Sequence, residues 1–343
     1  TFGTCESCWS GKATMADRRY NILVTGVGAI IGYGIVKSLR QSRFDCRVIG
    51  MDLLADAYGG FLADHFVQSV RAESDEYVPF LRGLVAAQQI DMIIPGCEQD
   101  LYSLWEHQNE VQTRIVMNND LCIRLSRNKL DTYLYFSQLG APFAIPTLHD
   151  CTYAECVSRL GSPFLLKLTS SYASKGLQVI HSAEEFEYHV AKAGASRCIY
   201  QKRVGSDEEE YTVGAFGDGR GSYFDSVILR RKLSRVGATQ VALWVERDPV
   251  IADCVDSIFR TLKPVGPTNI QIRKEDGRAY LLEINPRISS TCSIRTAIGY
   301  NEPEMCVRYF LLGQECGVSP KRALKVVRFI DDHIIDAPGR DHH

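Results

Sequence analysis

The chain has 343 residues, of which 45% are hydrophobic and 23% charged, with a formal net charge of −2. That is the balance of an ordinary globular protein, and near-neutrality removes the electrostatic case for nucleic acid or an anionic membrane surface. No apolar run reaches the ~20 residues needed to span a bilayer, and the length allows two or three small domains with real cores.

Residues 1–14 precede Met15, lack periodicity and read as an expression leader or a disordered start. Cys5 and Cys8 have C-x-x-C spacing, but no second pair lies near enough to complete a zinc site. Most of the twelve cysteines sit singly in apolar segments, as Cys46, Cys97, Cys198 and Cys254 do. Such cysteines behave as small hydrophobes, and reduced thiols fit a cytoplasmic protein.

From residue 15 to about 126 strand and helix patterns alternate. Apolar runs at 21–25, 47–51, 91–95 and 114–117 predict strands; helical spacing appears over 30–41, 74–89 and 99–113. This alternation predicts a parallel sheet with helices on both faces. A helix follows over 128–139, stopped by Gly140 and Pro142. Residues 146–198 read as strand, glycine-containing loop, strand, helix, strand. Beyond Tyr200 the chain turns β-rich, with strands at 210–216, 221–229 and 240–246, a helix at 249–262, and strands at 268–273 and 279–284 joined by a turn at Glu275–Gly277. A helix over 303–312 and a strand near 323–329 close the pattern. The expected domains are 15–126, 127–200 and 201–335.

Two motifs carry chemistry. Gly26-Val27-Gly28-Ala29-Ile30-Ile31-Gly32 lies between a strand and a helix, with Asp52 twenty residues on at the end of the next strand. It resembles a dinucleotide-binding fingerprint, although the spacing is G-x-G-x-x-x-G. A strand-to-helix turn that binds nothing, with Asp52 capping a loop, explains it equally. The second motif is Leu282-Glu283-Ile284-Asn285-Pro286-Arg287. Glu283 and Asn285 stand two apart on a strand, so they share a face, and burying both without partners costs several kcal/mol. Hard oxygen ligands on a rigid strand suit Mg²⁺, whose octahedron phosphate oxygens complete. Gln271 on the preceding strand can supply a third oxygen, and the Arg287 guanidinium suits a transferring phosphoryl group.

The run Asn269-Ile270-Gln271-Ile272 followed by Leu282–Ser289 resembles the metal-binding end of the ATP-grasp superfamily, in particular the large-subunit halves of carbamoyl phosphate synthetase and their stand-alone relatives. The resemblance spans about 21–313. It implies an ATP-grasp fold, α/β with α+β parts, behind an N-terminal Rossmann-like pre-ATP-grasp domain that does not hold NAD. It assigns Gln271, Glu283 and Asn285 to metal and Arg287 to the transferred phosphate. It assigns Lys129 and Lys167 to nucleotide phosphates, and Ser174 and Gly176 to the phosphate-covering loop 169–176. Gln201, Lys202 and Val204 fall on the adenine hinge, with Gln201 where the family usually has Glu, and Glu210 falls on the ribose-binding position. Arg230, Arg231 and Lys232 form a basic cluster; Arg231 reaching phosphate or substrate stands beside a plain solvated basic face. Gly28, Ala29 and Glu98 would line the substrate cleft.

The implied reaction is ATP-dependent: a carboxylate is phosphorylated and the acyl phosphate is captured by an amine or ammonia, with Mg²⁺ (Mn²⁺ can substitute) as cofactor. Carbamoyl phosphate synthesis itself is not expected, since that subunit has two such halves. Expected partners are a small carboxylic acid and an amine, with neither nucleic acid nor membrane; a homodimer is open, dimers being common among relatives. Two other readings compete: an NAD-dependent oxidoreductase built on Gly26–Gly32, and a nucleotide-binding module without turnover.

Overall fold

The alternating pattern of the first 126 residues folds as a doubly wound layer. The computed structural model describes residues 18–170, 176–234, 237–332 and 334. Residues 1–14, with Cys5 and Cys8, and the loop residue Ser174 lie outside them. Strands β1 (Tyr20–Thr25), β2 (Cys46–Asp52), β3 (His65–Gln68), β4 (Met92–Ile94) and β5 (Arg114–Ile115) form a parallel sheet in the order β3-β2-β1-β4-β5. Helix α1 (Ile30–Leu39) packs on one face; α2 (Tyr77–Gln88) packs on the other, burying Tyr77, Leu81 and Leu84 against Leu23, Ile49 and Ile93. Helix α3 (Glu98–Glu106) follows β4. Strand order reverses between β1 and β4, so the loops at Gly26 and Gly96 face one crevice, where ligands bind in such sheets.

Helices α4 (Asp120–Arg127) and α5 (Lys129–Gln138) bridge to the next layer; Asn119 and Asn128 cap them through their side chains. A small antiparallel sheet has the order β6-β9-β7-β8, from β6 (Thr147–Leu148), β7 (Phe164–Leu168), β8 (Gln178–Ile180) and β9 (Cys198–Lys202). Helices α6 (Tyr153–Leu160) and α7 (Ala183–Ala193) cover one face around Phe164, Phe186 and Tyr200. β9 runs two residues past 200, so the small sheet extends slightly beyond the boundary expected there.

The large sheet has the order β14-β13-β10-β11-β12-β15 and is antiparallel: β10 (Glu210–Asp218), β11 (Tyr223–Leu233), β12 (Thr239–Val245), β13 (Val265–Glu275), β14 (Arg278–Asn285) and β15 (Lys325–Val327). Helix α8 (Pro249–Leu262) begins at an Asp248 side-chain cap with Pro at its first position, and buries Ile251, Cys254, Val255, Ile258, Phe259 and Leu262 against the sheet. The short helices α9 (Cys292–Ile298) and α10 (Glu302–Cys306), the latter continued by a π-helical turn at 307–311, pack on α1. Ile22, Val24 and Ile35 therefore share one core with Cys292, Ile298 and Met305. Among the described residues no helix is long and apolar enough to cross a membrane.

Five elements were not anticipated by the pattern: β3, α4, β6, α6 and α9. All are short. β3 is a half-exposed edge strand, and α9 has no side-chain cap and buries an arginine, so neither shows a clean apolar period.

Candidate active site

Strands β13 and β14 pair with Gln271 opposite Glu283 and Asn269 opposite Asn285. The register then shifts, for Ile272 lies opposite Leu281 and Leu282 is extra. This bulge reverses the phase of the strand. Leu281 and Ile284 both turn into the core beneath α8, while Glu283 and Asn285 face the other side. The Tyr133 hydroxyl, from α5, donates to Leu282 O, so the carbonyl at the bulge is satisfied.

The face so formed is ringed by cations. Lys129 Nζ lies 3.5 Å from Glu283 Oε1, and its amide donates to Thr169 O (2.9 Å), tying α5 to the end of β7. Lys167, on β7, donates to Gln201 Oε1 at 2.6 Å and lies 3.5 Å from the Tyr133 hydroxyl. Gln201 is fully buried and its amide nitrogen donates to Thr147 Oγ1 at 3.0 Å. Burial lowers the Lys167 pKa to about 8; Glu283 and Glu210 pull it up and Arg273 pushes it down. Arg287 donates to Ile288 O (3.1 Å), Asn285 Oδ1 (3.3 Å) and Glu98 at the start of α3, so it spans to the parallel-sheet domain.

Glu210 is buried between two guanidiniums: Arg231 donates to Oε1 (3.1 and 2.8 Å) and Arg273 to Oε2 (3.2 and 2.7 Å). Both its oxygens accept from arginines, so the carboxylate positions the two guanidiniums. Arg231 in turn donates to Gln271 Oε1 at 2.7 Å, which places it beside the expected metal ligands as an orienting group. Strand alternation turns Arg231 inward and leaves Arg230 and Lys232 outside, paired with Glu209 and Glu208. At the expected hinge, the Lys202 side chain is exposed and its amide is committed to Pro146 O (3.0 Å), while Val204 is buried. Gly176 is exposed at φ +77°, where an added Cβ would stand 2.7 Å from Leu168, so both conformation and packing require glycine there.

Sequence reasoning missed the support beneath this face. Arg295, from α9, is fully buried; it donates to both Glu302 oxygens (3.1 and 3.2 Å), to Thr212 Oγ1 (3.1 Å) and to Asn269 Oδ1. Gly214 makes room for it, since a Cβ there would lie 2.5 Å from the guanidinium. Removing one partner of such a buried pair costs about 3–5 kcal/mol. Arg273 could have been found, because 269, 271 and 273 are polar at period two. Arg295 and Glu302 gave no such signal, their partners lying on three separate elements.

The residues fit magnesium in a particular way. The ledge presents one carboxylate and two amide oxygens, and among the described residues no cluster of three or more His, Cys, Asp or Glu could hold a metal by itself. One carboxylate with neutral oxygens binds Mg²⁺ chiefly in company with phosphates.

At the glycine motif the polar groups are spent internally. Asp52 Oδ2 accepts from the Gly28 amide at 2.7 Å and Oδ1 from Leu54 at 3.0 Å. Asp52 thus closes its own loop, as the capping reading expected, and the dinucleotide-binding alternative is not supported.

A parallel-sheet domain, a small antiparallel sheet and a large antiparallel sheet, with lysines and an oxygen ledge facing one another between the last two, define the ATP-grasp fold, and in sequence and structure the chain is similar to ATP-grasp superfamily proteins. The family model described as "ATP-grasp in the biosynthetic pathway with Ter operon" matches residues 207–331. The carbamoyl phosphate synthase large chain of Methanoregula boonei is 20% identical over 305 residues, covering 80% of this chain and 28% of that protein. The chain spans 15% of the Gemmatimonas aurantiaca counterpart. N5-carboxyaminoimidazole synthetase from Staphylococcus aureus, complexed with ADP, superposes with a TM-score of 0.68 at 17% identity, over 88% of this chain and 80% of that one. The biotin carboxylase domain dimer of Hydrogenobacter thermophilus 2-oxoglutarate carboxylase, in complex with MgADP, ADP and bicarbonate, gives 0.69 at 13% identity, over 88% and 72%.

Proposed function

We propose that the chain is an ADP-forming ligase that activates a carboxylic acid with ATP and joins it to an amine or ammonia. The oxygen ledge of Gln271, Glu283 and Asn285, bounded by Lys129, Lys167 and Arg287, carries this reading. A ledge with one carboxylate, bounded by two lysines and by an arginine that Glu98 steadies, suits a polyanion better than a free metal. In the first step a carboxylate oxygen of the acid bonds to the γ-phosphorus and ADP leaves; in the second the amine nitrogen bonds to the acyl carbon and phosphate leaves. Gln271, Glu283 and Asn285 would hold Mg²⁺ or Mn²⁺, which supplies neutralisation of phosphate charge. Lys167, oriented by Gln201, and Lys129 bind phosphate oxygens, and Arg287 steadies the transferring group, its own position set by Glu98 and Asn285. The ADP- and MgADP-bound relatives support the nucleotide.

The domains are taken as 15–126, 127–200 and 201–335. The ten described cysteines are free thiols, eight of them buried, which favours the reducing cytoplasm. A homodimer follows the Hydrogenobacter domain.

ADP release measured across a panel of acids and amines, with mass spectrometry of the product, tests the function. It should require both Mg²⁺ and an acid. Equal release without any acid, or tight NAD(H) binding in place of ATP, would overturn it.

A further inference from the structure

The arginines around the ledge each hold a carboxylate: Arg231 and Arg273 hold Glu210, Arg287 holds Glu98 and Arg295 holds Glu302. Arg328 does not. It follows β15, and its amide donates to Gln240 O at 2.8 Å. Its guanidinium donates to two backbone carbonyls, Thr239 O (3.0 Å) and Ser290 O. Among the described residues no carboxylate pairs with it. The titratable groups that face it are Cys292, Tyr58 and Tyr33, and burial holds the Cys292 thiol and the Tyr58 phenol above their ordinary values, so these are neutral at working pH. Burial also lowers the pKa of Arg328 itself, yet a guanidinium keeps its charge. A half-buried cation is thus held by neutral groups alone, an arrangement that costs stability unless an anion arrives.

Its surroundings suit a ligand. Two carbonyls take two of the five N–H donors, and the remaining three can grip a carboxylate as a fork. Tyr33 of α1 and Tyr58 of the loop after β2 stand together with ring centroids 5.4 Å apart, and Tyr58 is 47% exposed, so the cluster opens to solvent. Ser290, which anchors the guanidinium, lies three residues beyond Arg287, a span of about 10 Å at most.

We propose that Arg328, beside Tyr33 and Tyr58, binds a second carboxylate on the acid substrate, so that the ligase acts on dicarboxylic acids. The inference rests on the ligase reading above and narrows its substrate class. The first carboxylate sits at the ledge by Arg287, and the second is read at Arg328. A single guanidinium matches one carboxylate in charge as well as in geometry, whereas a phosphate, which the same fork can grip, carries a charge nearer −2. Arg328 acts as a specificity-determining residue and takes no part in the transfer.

The test is ADP release with Mg-ATP, using hydroxylamine as the nucleophile, and matched acids: butyrate against succinate, valerate against glutarate, glycolate against phosphoglycolate, and bicarbonate alone. Dicarboxylates should show a KM about 10-fold or more below their monocarboxylate partners. Arg328→Gln should raise the dicarboxylate KM about 10- to 100-fold with the ATP KM within about 2-fold, since only a charged hydrogen-bond pair is lost. Arg328→Lys, which retains the charge without the fork, should fall between and carries the test if the glutamine variant melts below assay temperature. Mono- and dicarboxylates of equal KM, a preference for phosphoglycolate or bicarbonate, or variants that alter ATP and acid KM alike would overturn the assignment while leaving the ligase standing. If no acid stimulates ADP release in the unmodified protein, the ligase reading falls and this inference with it.

Discussion

Two places in this chain look like nucleotide sites: the glycine loop after β1 and the oxygen ledge of β13 and β14. They differ in what their polar groups are already doing. At the loop, Asp52 accepts from two backbone amides of its own domain, one on each carboxylate oxygen. At the ledge, Glu283 meets a lysine at 3.5 Å, and a second lysine stands behind it with its pKa lowered to about 8. A carboxylate satisfied by its own backbone serves folding; one that shares its face with lysines from two other elements suits a ligand that carries further negative charge. The spacing of residues does not separate the two, but the hydrogen-bond partners do.

The comparison breaks or sharpens under substitution. The largest effect belongs to the ledge: Glu283→Ala should reduce ADP release about 10²- to 10³-fold, in the range for deleting one transition-state electrostatic contact, with an unchanged thermal melt. Retention of most turnover would remove the ledge from the chemistry. At the loop the signature inverts. Asp52→Ala should destabilise the fold by about 1–3 kcal/mol in urea titration, through the unpaired Gly28 and Leu54 amides, while leaving the KM for ATP unaltered. A strong rise in that KM would show that the glycine loop belongs to the nucleotide site after all. The smallest effect is a pH dependence at Lys167. Its pKa is about 8 in the folded protein against the ordinary 10.5, so it is mostly charged at pH 7 and loses its charge as pH rises past 8. ATP affinity should therefore weaken across that range in the unmodified protein and show no such step in Lys167→Met. The unfolded chain binds the extra proton between about pH 8 and 10.5, so this group's contribution to stability improves as pH rises through that window. A flat affinity profile in the unmodified protein would mean that Lys167 does not touch the phosphates.

The ledge itself was legible because Glu283 and Asn285 interrupt an apolar strand at period two, and because Gln271 lies one short turn earlier. Helix α8 was legible to the residue, since Asp248 and Pro249 mark its start and its apolar positions repeat at helical spacing. The arginine contacts of Glu210 were not legible. A carboxylate entering an apolar strand reads as functional from sequence, and nothing local tells that Arg231 and Arg273 arrive from the two neighbouring strands to enclose it.

The residue order alone determined the parallel layer, the antiparallel sheets and the pair of oxygens on β14, because periods of 2 and 3.6 residues and the chemistry of single side chains are local properties. Tertiary structure decided which charges are spent and which remain. Arg295 beneath Asn269, Gln201 holding Lys167, the Leu282 bulge that turns Glu283 outward from the core, and Arg328 on the carbonyls of Thr239 and Ser290 all depend on groups tens to hundreds of residues apart meeting in space. Electrostatic pairing acts over a few ångströms regardless of separation along the chain, so no window of sequence could contain it.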